Sequence, residues 1–176
     1  MTELNILFLN DISNEKFLTY FISNDEIKDY FKIHNFNGKK KEMLLVPKQY
    51  LKDSKDTLLI STKEINNDFD ACYLGAVART KVNSDCNITY ETGLVDFPQV
   101  QSFTLGMLLS GYKFDKYLNK KDDSEKISLD TSIMSDEQEV TRDAIYFVRD
   151  LVNTPTLDKT PEYFIDEVKK LIQNED

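Results

Sequence analysis

At 176 residues the chain has the length of one ordinary domain and can bury most of the apolar surface its unfolded form exposes, so a single core is expected. Hydrophobic residues make up 40% and charged residues 30%, with only 5 Gly and 4 Pro, a balance that excludes fibrous and disordered classes. The 31 Asp and Glu outnumber 22 Lys and Arg, and the resulting formal charge of -9 repels phosphate backbones and anionic lipid, which disfavours nucleic acid as a partner.

The first half alternates short apolar segments with polar punctuation. Leu4 to Leu9, Phe17 to Ile22, Met43 to Val46 and Leu58 to Ser61 have strand length and are rich in branched or aromatic residues, so each predicts a strand. The next such segment is Ile88 to Tyr90. Ahead of it, in DFDACYLGAVARTKV, Phe69, Cys72, Tyr73, Ala76 and Val77 recur at helical spacing and predict one amphipathic helix. From Pro98 the period is helical again, with Val100, Phe103, Met107, Leu108 and Tyr112 on one stripe, which predicts a helix over about 98–117.

A strand is expected at Ile127 to Leu129. Ser135 and Gln138 have the spacing of a capping box before a helix carrying Val140, Ala144, Phe147, Val148 and Leu151. Asn153, Thr154 and Pro155 end it, because proline forces its predecessor out of the helical region. Thr160 and Pro161 then open a last helix with Phe164, Ile165, Val168, Leu171 and Ile172 as its apolar stripe. An apolar stripe packs on something, and nothing further along this chain remains to cover it. Strands interleaved with helices predict an α/β fold, a sheet covered by helices.

Residues suited to chemistry are scarce. Cys72 and Cys86 stand in no CxxC or Cys/His cluster and read as reduced thiols. His34 is the only histidine, and a histidine site needs partners that FKIHNFNG does not supply. Neither HExxH, GxSxG nor a phosphate-binding glycine loop occurs. Gly106 and Gly111 lie within the predicted helix, where close packing explains them. Lys39 to Lys41 and Lys120 to Lys121 read as loop charge, the latter beside Asp122, Asp123 and Glu125. Asp136 and Glu137 suit the first turn of a helix, whose dipole favours negative charge. No catalytic, cofactor-binding or metal-ligating residue is therefore assigned. The opening MTELNILFLNDIS lacks the features of a secretory signal and no apolar run approaches the ~18 residues of a membrane span, so no membrane partner and a cytoplasmic location are expected.

Two stretches carry a resemblance. TLGMLLSGYKFDKYLNKK, Thr104 to Lys121, is similar to a glycine-containing helix that runs into a Tyr-x-Phe-Asp-x-Tyr segment, here Tyr112, Phe114, Asp115 and Tyr117. FVRDLVNTPTLDKTPEYF, Phe147 to Phe164, is similar to a domain-joining helix and the Asn-Thr-Pro turn after it, although Leu157 stands where many such sequences have asparagine. In this order and separation the two resemble the leucine (cytosol) aminopeptidase family.

The resemblance implies a macro-domain-like mixed sheet flanked by helices over 1–135, an interdomain helix over 136–153, and the first residues of a catalytic peptidase domain over 154–176. It also implies a parent enzyme that removes amino-terminal residues from peptides with two divalent metal ions, manganese or zinc, and forms a hexamer. The ligands for those metals belong to a downstream region, so no metal or other cofactor is expected in this chain, whose role would be assembly or substrate access. The alternatives are a module that binds a nucleotide such as ADP-ribose, and a DNA-binding regulatory domain.

Overall fold

The computed structural model describes residues 2–82, 86–91, 97–118, 128–129 and 131–173. At its centre is β1, Thr2–Leu9. The pleat sends Leu4, Ile6 and Phe8 to one face and Leu7 and Leu9 to the other, and all five are buried. A strand buried on both faces suits the middle of a parallel sheet. There β1 pairs in parallel with β3, Asp56–Ser61, and with β4, Cys86–Glu91. β2, Met43–Val46, adds antiparallel to β3, and β5, Ser128–Leu129, adds parallel to β4, giving one mixed sheet in the order β2-β3-β1-β4-β5. The expected α/β class is thus the observed one. The expected single core is instead two clusters, because helices cover both faces of the sheet.

One face carries α1, Glu15–Leu18, and α2, Asn24–Ile33. Phe17 to Ile22 is therefore no strand. The Asn14 side chain accepts from the N–H groups of Lys16 and Phe17 and starts a turn of helix, after which only Phe21 bridges to an extended neighbour, Leu51. Phe17 and Phe21, four apart, enter the core together with rings edge to face at 5.1 Å, a contact that a helical turn allows and that four residues of extended strand, about 13 Å long, would not. Sequence patterning also missed α2. Ser23 caps it, Asp25 and Glu26 sit at its positive end, and Ile27 and Phe31 are buried one turn apart.

The other face carries α3, Asp68–Arg79, and α4, Val100–Ser110. α3 lies where predicted but turned over. Phe69 and Tyr73 are 82% and 54% exposed, and the buried residues are Ala71, Leu74, Gly75 and Ala78. The cause is backbone contact with α4. A Cβ on Gly75 would stand 1.9 Å from the Phe103 carbonyl oxygen, and one on Gly106 would stand 1.9 Å from that of Cys72. The close-packing role expected of Gly106 is thus observed. Gly111 caps the end of α4, so the helix predicted to reach 117 stops at Ser110 and Tyr112 leaves its stripe.

Lys41 reaches from the loop before β2 to Asp70 in the first turn of α3, 3.0 Å away, and lies over the Tyr73 ring. Lys40 is 3.8 Å from Glu64, so the Lys39 to Lys41 run, read as loop charge, is in part paired. The Lys41 and Asn67 side chains hold the Asp70 carboxyl below its ordinary value. A folded-state value below the unfolded one gives stability that is present above the unfolded value and lost as pH falls through the folded one. Asp70→Asn is therefore expected to flatten the loss of stability below about pH 4, read as denaturant midpoint against pH for both proteins.

α5, Asp136–Asn153, lies against α4, and α6, Pro161–Gln173, follows after a turn. The capping box does not form: Ser135 takes the N-cap position without a side-chain bond, and Gln138 instead donates to Ser102, which donates to Asp68. At the far end, Arg149 donates to the Leu109 carbonyl at 2.6 Å and Tyr146 donates to that of Leu108. These bonds satisfy the orphan carbonyls of α4 and put a cation at its negative end. Thr160 caps α6 as expected, accepting from the Tyr163 N–H at 3.2 Å. Lys120 to Asp123, Glu125, Ile127 and the side chains of Leu171 and Ile172 lie outside the described residues.

Candidate functional site

β1 leads into helices on one face of the sheet and β3 into α3 on the other. Their exits diverge at the carboxyl edge, the place where open α/β sheets leave a crevice for ligands. A cleft of about 480 Å³ opens there, lined by Asn10, by the turn over 62–66, and by residues 97–99 ahead of α4. Phe97 and Ile65 form its buried apolar floor, with the Phe97 ring 4.8 Å from Phe8. On the rim the Thr62 hydroxyl donates to the Asn10 side-chain carbonyl, and the Thr62 N–H donates to the Leu9 carbonyl at 2.9 Å. The turn closes through the Ile65 N–H on the Thr62 carbonyl at 3.0 Å. Glu64 occupies that turn at φ +63°, in the left-handed region a side chain enters only at a cost.

This set can bind, but it lacks a nucleophile with an adjacent base. His34 is exposed at the end of α2, its ring 4.3 Å from that of Tyr30, and does not line the cleft. Cys72 and Cys86 are free thiols, and burial pushes the Cys72 thiol up. Among the described residues no group of three or more His, Cys, Asp or Glu could hold a metal ion, and no helix is long and apolar enough to cross a membrane. Sequence patterning missed the cleft because its walls are three separate loops; the one local signal is the turn Thr-Lys-Glu-Ile between β3 and α3.

A second feature is the outward face of α5 and α6. α5 buries none of its residues fully, and Val140, Val148 and Val152 are exposed, as are Leu157 in the turn and Phe164 and Ile165 on α6. The stripes expected from the sequence are present but only partly covered. The turn itself is held firmly. The Tyr163 hydroxyl meets Thr154 at 3.4 Å and accepts from Lys116 at 3.0 Å, and Lys116 also lies over the Tyr163 ring. The Thr154 and Lys116 bonds hold the Tyr163 hydroxyl below its ordinary value. Lys116, from the second half of the Tyr-x-Phe-Asp-x-Tyr segment, thus meets the stretch that follows Asn153-Thr154-Pro155 through Tyr163. The two resembling stretches are in contact.

No family model matches the chain. Among curated proteins it is 28% identical over 166 residues to a probable cytosol aminopeptidase of Aquifex aeolicus (strain VF5), covering 86% of this chain and 33% of that protein. It is 27% identical over 153 residues to a probable cytosol aminopeptidase of Sulfurihydrogenibium sp. (strain YO3AOP1), covering 75% of this chain and 30% of that one. The chain thus spans about a third of the length of the curated relatives it matches. Among solved structures, the bottromycin maturation enzyme BotP in complex with Mn superposes with a TM-score of 0.70 at 14% identity, over 99% of this chain and 37% of that one. The cytosol aminopeptidase from Coxiella burnetii superposes with a TM-score of 0.65 at 16% identity, over 98% of this chain and 36% of that one. At these identities the superpositions speak for the fold, and the sequence matches speak for kinship. The chain is a homologue of the cytosol aminopeptidases, corresponding to an amino-terminal domain of such an enzyme.

Proposed function

We propose that this chain is the non-catalytic part of a metal-dependent aminopeptidase, and that the outward face of α5 and α6 is where the catalytic part packs. The observation that carries this reading is the row of exposed apolar side chains, Val140, Val148, Val152, Phe164 and Ile165, on a chain spanning a third of its relatives. Apolar side chains in such number on two successive helices favour burial against a partner. On this reading residues 1–135 form the amino-terminal domain, 136–153 the interdomain helix, and 154–176 the entry into the catalytic domain.

The same reading places two divalent ions, manganese or zinc, in the catalytic part, where paired metals polarise a scissile carbonyl and generate hydroxide from water at neutral pH. None of this chain's residues ligates them. The parent acts on peptides in the cytoplasm as a homo-oligomer, a hexamer, and this domain contributes to assembly or limits access to the metals. The test is hydrolysis of leucine p-nitroanilide with added manganese or zinc. The full-length protein is expected to turn over and the 176-residue chain to show none. Metal-dependent turnover by the purified chain would overturn the reading.

A nucleotide-binding role is the weaker alternative. The cleft has the room, but among the described residues Lys63 is the only cation in its lining, the chain has no glycine-rich phosphate loop, and Asp68 and Asp70 occupy the first turn of the neighbouring α3. DNA binding remains disfavoured by the net charge.

A further inference from the structure

The cleft at the carboxyl ends of β1 and β3 is distinct from the α5 and α6 face, and its lining selects among ligands. Its volume of about 480 Å³ lies within the range of small-molecule sites. Among the described residues Lys63 and Glu64 are its two charged lining residues, side by side in one turn, and Asn10, Asn66 and Gln99 are amides. Because the Asn10 carbonyl accepts from Thr62, the remainder of that amide is a donor. Phe97 and Ile65 add an apolar floor. A polyphosphate gains one cation here and meets an equal negative charge. A molecule with one positive end, one negative end, an amide between them and an apolar side chain meets a complement at each point.

We propose that this cleft binds a zwitterionic short peptide, with Lys63 facing its carboxylate, Glu64 its ammonium group, and Asn10 and Gln99 its amide. The left-handed backbone at Glu64 agrees with this assignment. Glycine adopts φ +63° without cost, whereas the glutamate there is strained and brings a carboxylate to the rim. Its contact with Lys40, 3.8 Å between exposed side chains, adds little to the fold.

The probe is the dipeptide leucyl-alanine, titrated into the 176-residue chain while the backbone amide signals of residues 62–66 are followed by NMR. Saturable shifts are expected with a Kd of roughly 1 mM, an affinity suited to a few partly solvated contacts. Acetylating the amino end or amidating the carboxyl end is expected to weaken binding by about fivefold each, the size of one exposed ion pair. Glu64→Gly should abolish the penalty for acetylation while leaving the melting temperature unchanged or raised, which separates lost binding from lost folding. The site assignment is overturned if leucyl-alanine shifts nothing at about ten times that concentration, if the capped and free dipeptides bind equally, or if ADP-ribose saturates the same signals more tightly.

Discussion

Gly106→Ala is expected to lower the stability of the chain by about 3 kcal/mol or more, although alanine is the better helix former by about 1 kcal/mol. The sign follows from geometry. The added Cβ would lie 1.9 Å from the Cys72 carbonyl oxygen, 2.7 Å from its carbon and 2.9 Å from its Cα, so the obstacle is backbone that cannot rotate aside. Either α3 and α4 part, which opens voids around Phe103, Met107 and Leu74, or the bond geometry strains. Gly75→Ala meets the Phe103 carbonyl in the same way and should behave alike. For a domain of this size the melting temperature should fall by roughly 10 °C. Denaturant and thermal melts followed by circular dichroism decide the matter, and a loss below about 1 kcal/mol in both variants would mean that the helices are not in backbone contact.

The second large effect should appear only in the longer protein. Phe164→Asp combined with Ile165→Asp alters two half-exposed side chains, so the isolated chain should keep its stability within about 0.5 kcal/mol. In the full-length enzyme proposed above the same carboxylates would be enclosed without partners, a change that costs several kcal/mol. The expected outcome is a normal melt for the fragment beside a full-length protein that is poorly assembled by sedimentation and weakly active. If both proteins tolerate the pair equally, the catalytic part does not pack on this face.

The elements most legible in the sequence were those whose burial follows one simple period. β1, β2 and β3 read directly because Leu4 to Leu9, Met43 to Val46 and Leu58 to Ser61 are short, mainly apolar segments rich in branched or aromatic residues. α5 and α6 read from stripes at helical spacing. Misreadings arose where burial depends on shape. The contact face of α3 is made of Ala71, Gly75 and Ala78 as well as Leu74, so its largest apolar residues point elsewhere. Phe17 and Phe21 resemble a strand because aromatic residues are enriched in strands. α2 was passed over because charged residues surround Ile27 and Phe31. The cleft depends on which loops a parallel sheet brings together, a long-range property absent from any local pattern. The joining of Lys116 to Tyr163 after α5 is likewise a long-range contact that neither stretch carries in its own pattern.

The position of β1 has a consequence for biosynthesis. It is the first strand of this sheet to be made, yet Leu4 pairs with Asp56 on one side and Ile88 on the other, about 50 and 80 residues downstream. At ~5–20 residues per second, LNILFL waits on the order of ten seconds for both neighbours. Until β3 arrives, an uncharged and mainly apolar hexamer is exposed with two unpaired edges, and one edge stays open until β4, the kind of segment that joins its own copies in cross-β contacts. A nascent chain is thus most vulnerable before β4 emerges, and a chaperone that held β1 would guard the strand around which the sheet later assembles.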